Sequence, residues 1–186
     1  MTSPMILDAI QNWVGGRNRL PKKSIIVTSR QYFPDLVSAT KGLDDVAYIS
    51  ISATKDMCEI KYDGDYSECD HLLDSSDIVL NLEFDDLTED KEVIKPSGEP
   101  GTCKTITDLQ AEEILNFVES NLGKHLIIHC RAGRSRSAGV ARAIFDLFPE
   151  VYEENFYNDV NPVTTPNMEV VRKIKRAYIY RLGIWK

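Results

Sequence analysis

Residues 129–137 read His-Cys-Arg-Ala-Gly-Arg-Ser-Arg-Ser. A cysteine stands second in the run, a glycine at its centre, and an arginine six positions after the cysteine. A turn of small residues can aim several backbone N–H groups at one centre and so form an anion nest. Gly133 supplies the backbone freedom such a turn needs. Arg136 carries a planar fork that matches two oxygens of a phosphate. The same positive field favours a sulfur anion, and the thiolate is the nucleophilic form of cysteine. The chemistry these residues can do together is attack by sulfur on a phosphoryl group held by amides and a fixed cation. Cys-x5-Arg alone is a weak signal. The full spacing His129-Cys130-x-x-Gly133-x-x-Arg136-Ser137 is far more selective.

The elements around the run put it where this chemistry needs it. The apolar stretch at 125–129 reads as a strand covered on both faces. The stretch at 137–148 reads as a helix ending before Pro149, so the run occupies a strand-to-helix turn. At a helix N-terminus, unpaired N–H groups and the positive dipole end add to the anion nest. Further strands are expected at 24–28, 46–52 and 77–84. Leu80, Leu82 and Phe84 of the last share one face. A helix is expected at 107–123, opened by a Thr107/Gln110 capping box and closed by Gly123, with Leu109, Ile114, Phe117, Val118 and Leu122 at apolar spacing. Another is expected at 167–183, between Pro166 and Gly183, with Val171, Ile174, Tyr178 and Leu182 on one face. Its basic run 172–176 is expected to be solvated. This alternation implies one α/β domain over 1–186, a central, mostly parallel sheet of about four to five strands flanked by helices. Segment 87–106 carries two prolines, two glycines and many charges, and reads as an irregular insertion.

The run at 129–137 resembles the active-site signature of the cysteine-dependent protein tyrosine phosphatases, most closely their compact dual-specificity branch. The likeness is specific over 125–148 and extends loosely to the order of elements at 77–86 and 107–123. It implies a dual-specificity-phosphatase-like fold and hydrolysis through a phosphocysteine intermediate, with no cofactor and no metal. Carried over, Cys130 is the nucleophile, Arg136 the phosphate clamp, Ser137 the hydroxyl that helps sulfur leave, and His129 the support of the loop. Arg131, Ala132, Gly133, Arg134, Ser135 and Arg136 would line the phosphate site.

The family also uses an aspartate, placed after the strand before the helix that leads into the active-site strand. It protonates the leaving group and then activates water. Strand parity through Leu80, Leu82 and Phe84 favours Asp86, with Asp85 and Asp90 as alternatives. Asp86 lies farther before Cys130 than in compact members of the family, and the family's own spacing would fall near Glu99. The excess coincides with segment 87–106, which could wall or cover the site.

A phosphorylated protein, phosphotyrosine first, is the substrate the resemblance implies. Arg131 and Arg134 raise a second class: phosphoinositides, other polyphosphorylated small molecules, or the 5′-triphosphate end of RNA. Apart from such an end, nucleic acid is not expected, because the net charge is −7. A phosphate-binding module without turnover and a rhodanese-like sulfur transferase are the non-phosphatase readings. No stretch is long and apolar enough for a membrane span. The opening residues lack the pattern of an export signal, and the four cysteines form no CxxC pair. Reduced thiols in a cytoplasm are therefore expected.

Overall fold

The computed structural model describes residues 22–62, 64–158 and 165–184, with the backbone alone for 154–158. Five parallel strands form the central sheet: β1 (Lys23–Ser29), β2 (Val46–Ser52), β3 (Val79–Glu83), β6 (His125–Cys130) and β7 (Tyr152–Asn158), in the order β3-β2-β6-β1-β7. The helices are α1 (Phe33–Thr40), α2 (Lys55–Lys61), α3 (Asp108–Ser120), α4 (Arg136–Leu147) and α5 (Met168–Arg181). The expected α/β class holds, and the sheet is parallel throughout. The sequence reading did not include β7, α1 or α2.

Segment 87–106 is corrected. Strand β4 (Lys91–Ile94) pairs antiparallel with β5 (Pro100–Cys103), so much of the insertion is a hairpin. Its prolines and glycines lie in β5 and the connecting turn, where Gly98 adopts φ +86°. That composition conceals a short hairpin from any count of periodicity.

The sheet is buried on both faces because its strands alternate into two cores. Leu126, Ile128 and Cys130 of β6 face one core with α3, α4 and α5, while Ile127 faces another with Phe33 and Leu36 of α1. Each Ile or Leu that is fully buried contributes about 1.5–3 kcal/mol, and β2 and β6 are buried along their whole length, including Ser50, Ser52, His125 and His129. The Thr107/Gln110 capping box opens α3 as expected. Its buried face is Ala111, Ile114, Leu115 and Val118, however, while Leu109 and Leu122 are exposed. In α5 the buried positions are Val170, Val171, Ile174 and Ala177; Tyr178 packs at the edge and Leu182 is exposed. The basic run of α5 is solvated and paired: Arg172 with Glu169, Lys175 with Asp146, and Arg176 with Asp108.

Two histidines sit in these layers as neutral groups. His125 accepts a hydrogen bond at Nδ1 from the Ser24 amide, 3.0 Å away. His129 Nε2 lies 2.8 Å from Ser50 Oγ, and its ring packs against Phe33 at a centroid distance of 4.0 Å. Burial, reinforced by Arg30, lowers His129 to about 3. Burial, reinforced by Lys23 against the opposing Asp45, lowers His125 to about 4. Both native values lie below the ordinary 6.5, so the unfolded chain takes up two protons as the pH falls through 6.5 while the native state refuses them. The stability these rings provide is full above that pH and is lost on acidification, toward about 4 for His125 and about 3 for His129. Urea titrations at stepped pH are expected to show this loss beginning near pH 6.5, with a shallower dependence in His125→Gln. An unchanged slope in that variant would refute the assignment.

Candidate active site

The loop 130–136 lies at the C-terminal edge of the sheet, the edge where parallel α/β sheets bind ligands. Cys130 is the last residue of the central strand β6, and Arg136 is the first of α4. Gly133 is required there twice over. Its φ is +63°, and a Cβ would lie 2.6–2.7 Å from the backbone of Thr28 and Ser29 at the end of β1. The turn therefore rests directly on the neighbouring strand.

Cys130 is 3% exposed, and its Sγ lies 3.1 Å from Ser137 Oγ. Burial by itself would push this thiol up. The Arg136 guanidinium, the Ser137 hydroxyl and the amides of Ser137 and Arg134 outweigh burial and hold the thiol below its ordinary value. Arg136 is itself buried, and its Nη1 donates to the carbonyls of Ser52 (3.0 Å) and Phe84 (2.7 Å). These carbonyls lie at the ends of β2 and β3, so the sheet fixes the cation. Ser135 is the N-cap residue of α4 but makes no side-chain cap bond, so it does not block the first amides of the helix. His129 points to the opposite face of the sheet from Cys130, as alternation along a strand demands. There its Nε2 meets Ser50 Oγ of β2 at 2.8 Å, a tie between neighbouring strands and not a bond to the loop itself.

The two neighbouring aspartates divide sharply. Asp85 is 1% exposed and accepts from Thr54 N (3.0 Å), Thr54 Oγ1 (2.6 Å) and Lys104 N (2.9 Å). It joins the start of α2 to the end of the hairpin. Asp86 is exposed and lines the cavity over Cys130; its Oδ1 accepts from Ser135 Oγ (2.6 Å) and Asn167 Nδ2 (2.9 Å). Asp90 is held by Thr105, through the amide (2.8 Å) and the hydroxyl (3.0 Å). Of the three, Asp86 alone borders the cavity. Strand parity was not the reason, because β3 ends at Glu83 and its alternation stops there. Glu99 lies at the hairpin turn, where its carbonyl pairs with the Lys95 amide.

That cavity has a volume of about 330 Å³ and is lined by Lys61, Tyr62, Asp86 and Thr165 together with the loop residues from Cys130 to Arg136 except Gly133, which is buried beneath them. Lys61, Tyr62 and Thr165 were not foreseen, because no local pattern connects them with the loop. Arg131 is held rather than free: its guanidinium sits 3.8 Å over the Tyr62 ring, and its Nε lies 3.5 Å from Glu68. Arg134 and Ala132 are exposed, and Arg134 has no side-chain partner among the described residues.

The expectation of four reduced thiols is corrected: Cys58 and Cys69 form a disulfide. Cys58 lies in α2 and Cys69 follows the 3-10 turn Tyr66–Glu68; the bend between them closes a short loop that composition alone could not reveal. Cys103 and Cys130 are free. No helix among the described residues is long and apolar enough to cross a membrane.

Two measurements test this arrangement. Asp85→Ala strips the Thr54 and Lys104 donors of their partner, and is expected to lower the unfolding free energy by about 3 kcal/mol. A loss below half of that in denaturant titration would refute the bridging role. Burial pushes the Cys103 thiol up, helped by Asp85, whereas Cys130 is held down. Thiolate absorbance should therefore rise in two steps, the first below the ordinary thiol range. Cys130→Ser should remove that first step and Ser137→Ala should move it to higher pH. Comparison with known proteins found no matching family model, no matching curated protein and no matching solved structure.

Proposed function

We propose that this chain is a phosphatase that cleaves phosphate monoesters through a phosphocysteine intermediate. The observation that carries the reading is the pairing of a buried, ionisation-prone Cys130 with an anchored Arg136 at one end of a cavity that Asp86 borders. A thiolate, a fixed cation and a carboxyl group within one small space are the three parts that this two-step displacement requires.

In the first step, Cys130 Sγ attacks phosphorus, the bond from phosphorus to the ester oxygen breaks, and the Asp86 carboxyl gives its proton to that oxygen. The amides at the start of α4 and the free edge of the Arg136 guanidinium face the phosphoryl oxygens. In the second step, water attacks phosphorus, its proton passes to the Asp86 carboxylate, and the S–P bond breaks. Sulfur leaves as the thiolate, which Ser137 stabilises through the hydroxyl 3.1 Å away. The products are the alcohol or phenol and inorganic phosphate, and the enzyme is restored.

For substrate, a phosphorylated protein is the leading assignment, with phosphotyrosine first and dual specificity included. Arg134 favours a second reading. It lies on the cavity wall with no side-chain partner among the described residues, and Lys61 lines the same cavity. A leaving group bearing further phosphates, as in phosphoinositides or RNA 5′-triphosphate ends, would meet both.

The test is turnover of para-nitrophenyl phosphate, phosphotyrosine and phosphoserine peptides, phosphoinositides and 5′-triphosphate RNA. Cys130→Ser is expected to abolish all turnover. Asp86→Asn is expected to reduce kcat by about 10²–10⁴-fold on esters with poor leaving groups. Phosphate binding without turnover would leave a binding module, and sulfur transfer from thiosulfate would place the chain with sulfur transferases. Either result would overturn the proposal.

A further inference from the structure

We infer that Asn167 is a positioning residue that orients Asp86 and locks it to the phosphate loop; the inference rests on the phosphatase reading above. Asn167 is the N-cap of α5 and is 8% exposed. Its Oδ1 accepts from the amides of Glu169 (3.0 Å) and Val170 (3.3 Å). Those two N–H groups can only donate, so the orientation of the side-chain amide is fixed. Nδ2 must then face the other way, and there it donates to Asp86 Oδ1 (2.9 Å) and to the Leu87 carbonyl (3.1 Å). Both of those partners are acceptors, which agrees with the same orientation.

The backbone completes the link. The Asn167 amide donates to the Ser135 carbonyl (3.1 Å), and the Thr165 amide to the Arg134 carbonyl (3.0 Å). The segment before α5 therefore joins the phosphate loop to the turn that carries the acid. A Cβ at Gly139 would stand 2.8 Å from the Asn167 carbonyl, so α4 holds Asn167 in place from below.

The chemical consequence lies in which oxygen of Asp86 works. Ser135 Oγ and Asn167 Nδ2 both donate to Oδ1. An oxygen that accepts two hydrogen bonds is a poor place for a proton, so the proton of the carboxyl resides on Oδ2. Oδ2 then delivers it to the leaving oxygen in the first step and collects the proton of water in the second. Asn167 and Ser135 pre-set the carboxyl for both steps.

Substitution separates this role from capping. As an N-cap, Asn, Asp and Ser are nearly interchangeable. As a donor to Asp86 through a side chain of this length, only Asn serves. Asn167→Ser keeps the cap and is expected to melt modestly below the wild type, and Asn167→Asp, which sets a carboxylate against Asp86 Oδ1 and the Leu87 carbonyl, lower still; both should lose about 10–100-fold in kcat on phenyl phosphate, the scale of a misplaced catalytic group. The loss should be much smaller on para-nitrophenyl phosphate, whose leaving group needs little protonation, with KM unchanged. In an Asp86→Asn background, the same substitutions should cost nothing further. Ser135→Ala removes the second donor without removing a side-chain capping bond, since Ser135 makes none to α4, and should show the same dependence on leaving group; it decides the matter if the Asn167 variants fail to fold. Wild-type kcat on both esters in Asn167→Asp overturns the inference and leaves the phosphatase reading standing. So does a loss that is equal on both esters or that persists in the Asp86→Asn background. If the wild-type protein hydrolyses neither ester, or if Cys130→Ser still does, the phosphatase reading itself fails and this inference falls with it.

Discussion

A thiol held below its ordinary pKa at the buried end of a central strand is the constraint on which the surrounding elements converge. Burial raises the free energy of a thiolate, and only compensation within a few ångströms can reverse that. Here the compensation comes from Arg136, Ser137 and loop amides. Arg136 is buried as well, so its charge must also be met. It is met by carbonyls of Ser52 and Phe84, at the ends of two other strands. The order β3-β2-β6 is therefore part of the electrostatics of the site, since it brings those carbonyls beside the strand that ends in Cys130.

The adjacent carboxylates show how neighbours in sequence acquire separate tasks. With three donors and almost no exposure, Asp85 is a structural tie between α2 and the hairpin. Asp86 is turned toward solvent and the loop. The hairpin gains a second hold through Asp56, which accepts from the Thr102 amide at 2.7 Å and pairs with Lys95 at 2.7 Å. Because α2 ends beside the cavity with Lys61 and Tyr62, the insertion bears on the cavity wall through that helix.

What was legible in the sequence was whatever is local. The strand, glycine turn and helix start at 125–137 depend on residues next to one another, and the pattern there placed Cys130, Gly133, Arg136 and Ser137 at one strand-to-helix turn. Periodicity found four of the five strands of the sheet and the three long helices. It failed for α1 and α2, which are short, and for β7, whose residues Tyr-Glu-Glu-Asn-Phe-Tyr-Asn are too polar to read as a buried strand. Hairpin β4–β5 was hidden by its own turn residues. Parity singled out Asp86 through an alternation that had already stopped at Glu83; the hydrogen bonds of Asp85, made to residues 31 and 19 positions away, are what separate the pair. The Cys58–Cys69 disulfide and the Asn167 contacts are products of folding, and no spacing rule encodes them.

The loop arginines carry this distinction furthest. Three arginines in six positions look equivalent on paper, but the fold treats each differently. Arg136 is fixed by strand ends. Arg131 is stacked on Tyr62 and paired with Glu68, two residues that lie within the loop closed by the Cys58–Cys69 disulfide. Its position thus depends on a covalent tie made far from the loop in sequence. For Arg134 the fold engages the backbone, through Thr165, and no side-chain partner is found among the described residues. A guanidinium on the cavity wall that is neither stacked nor paired among the described residues keeps its charge available to a ligand. Under the function proposed above, selection among phosphorylated substrates should turn on Arg134 more than on Arg131, whose charge is already shared with Glu68.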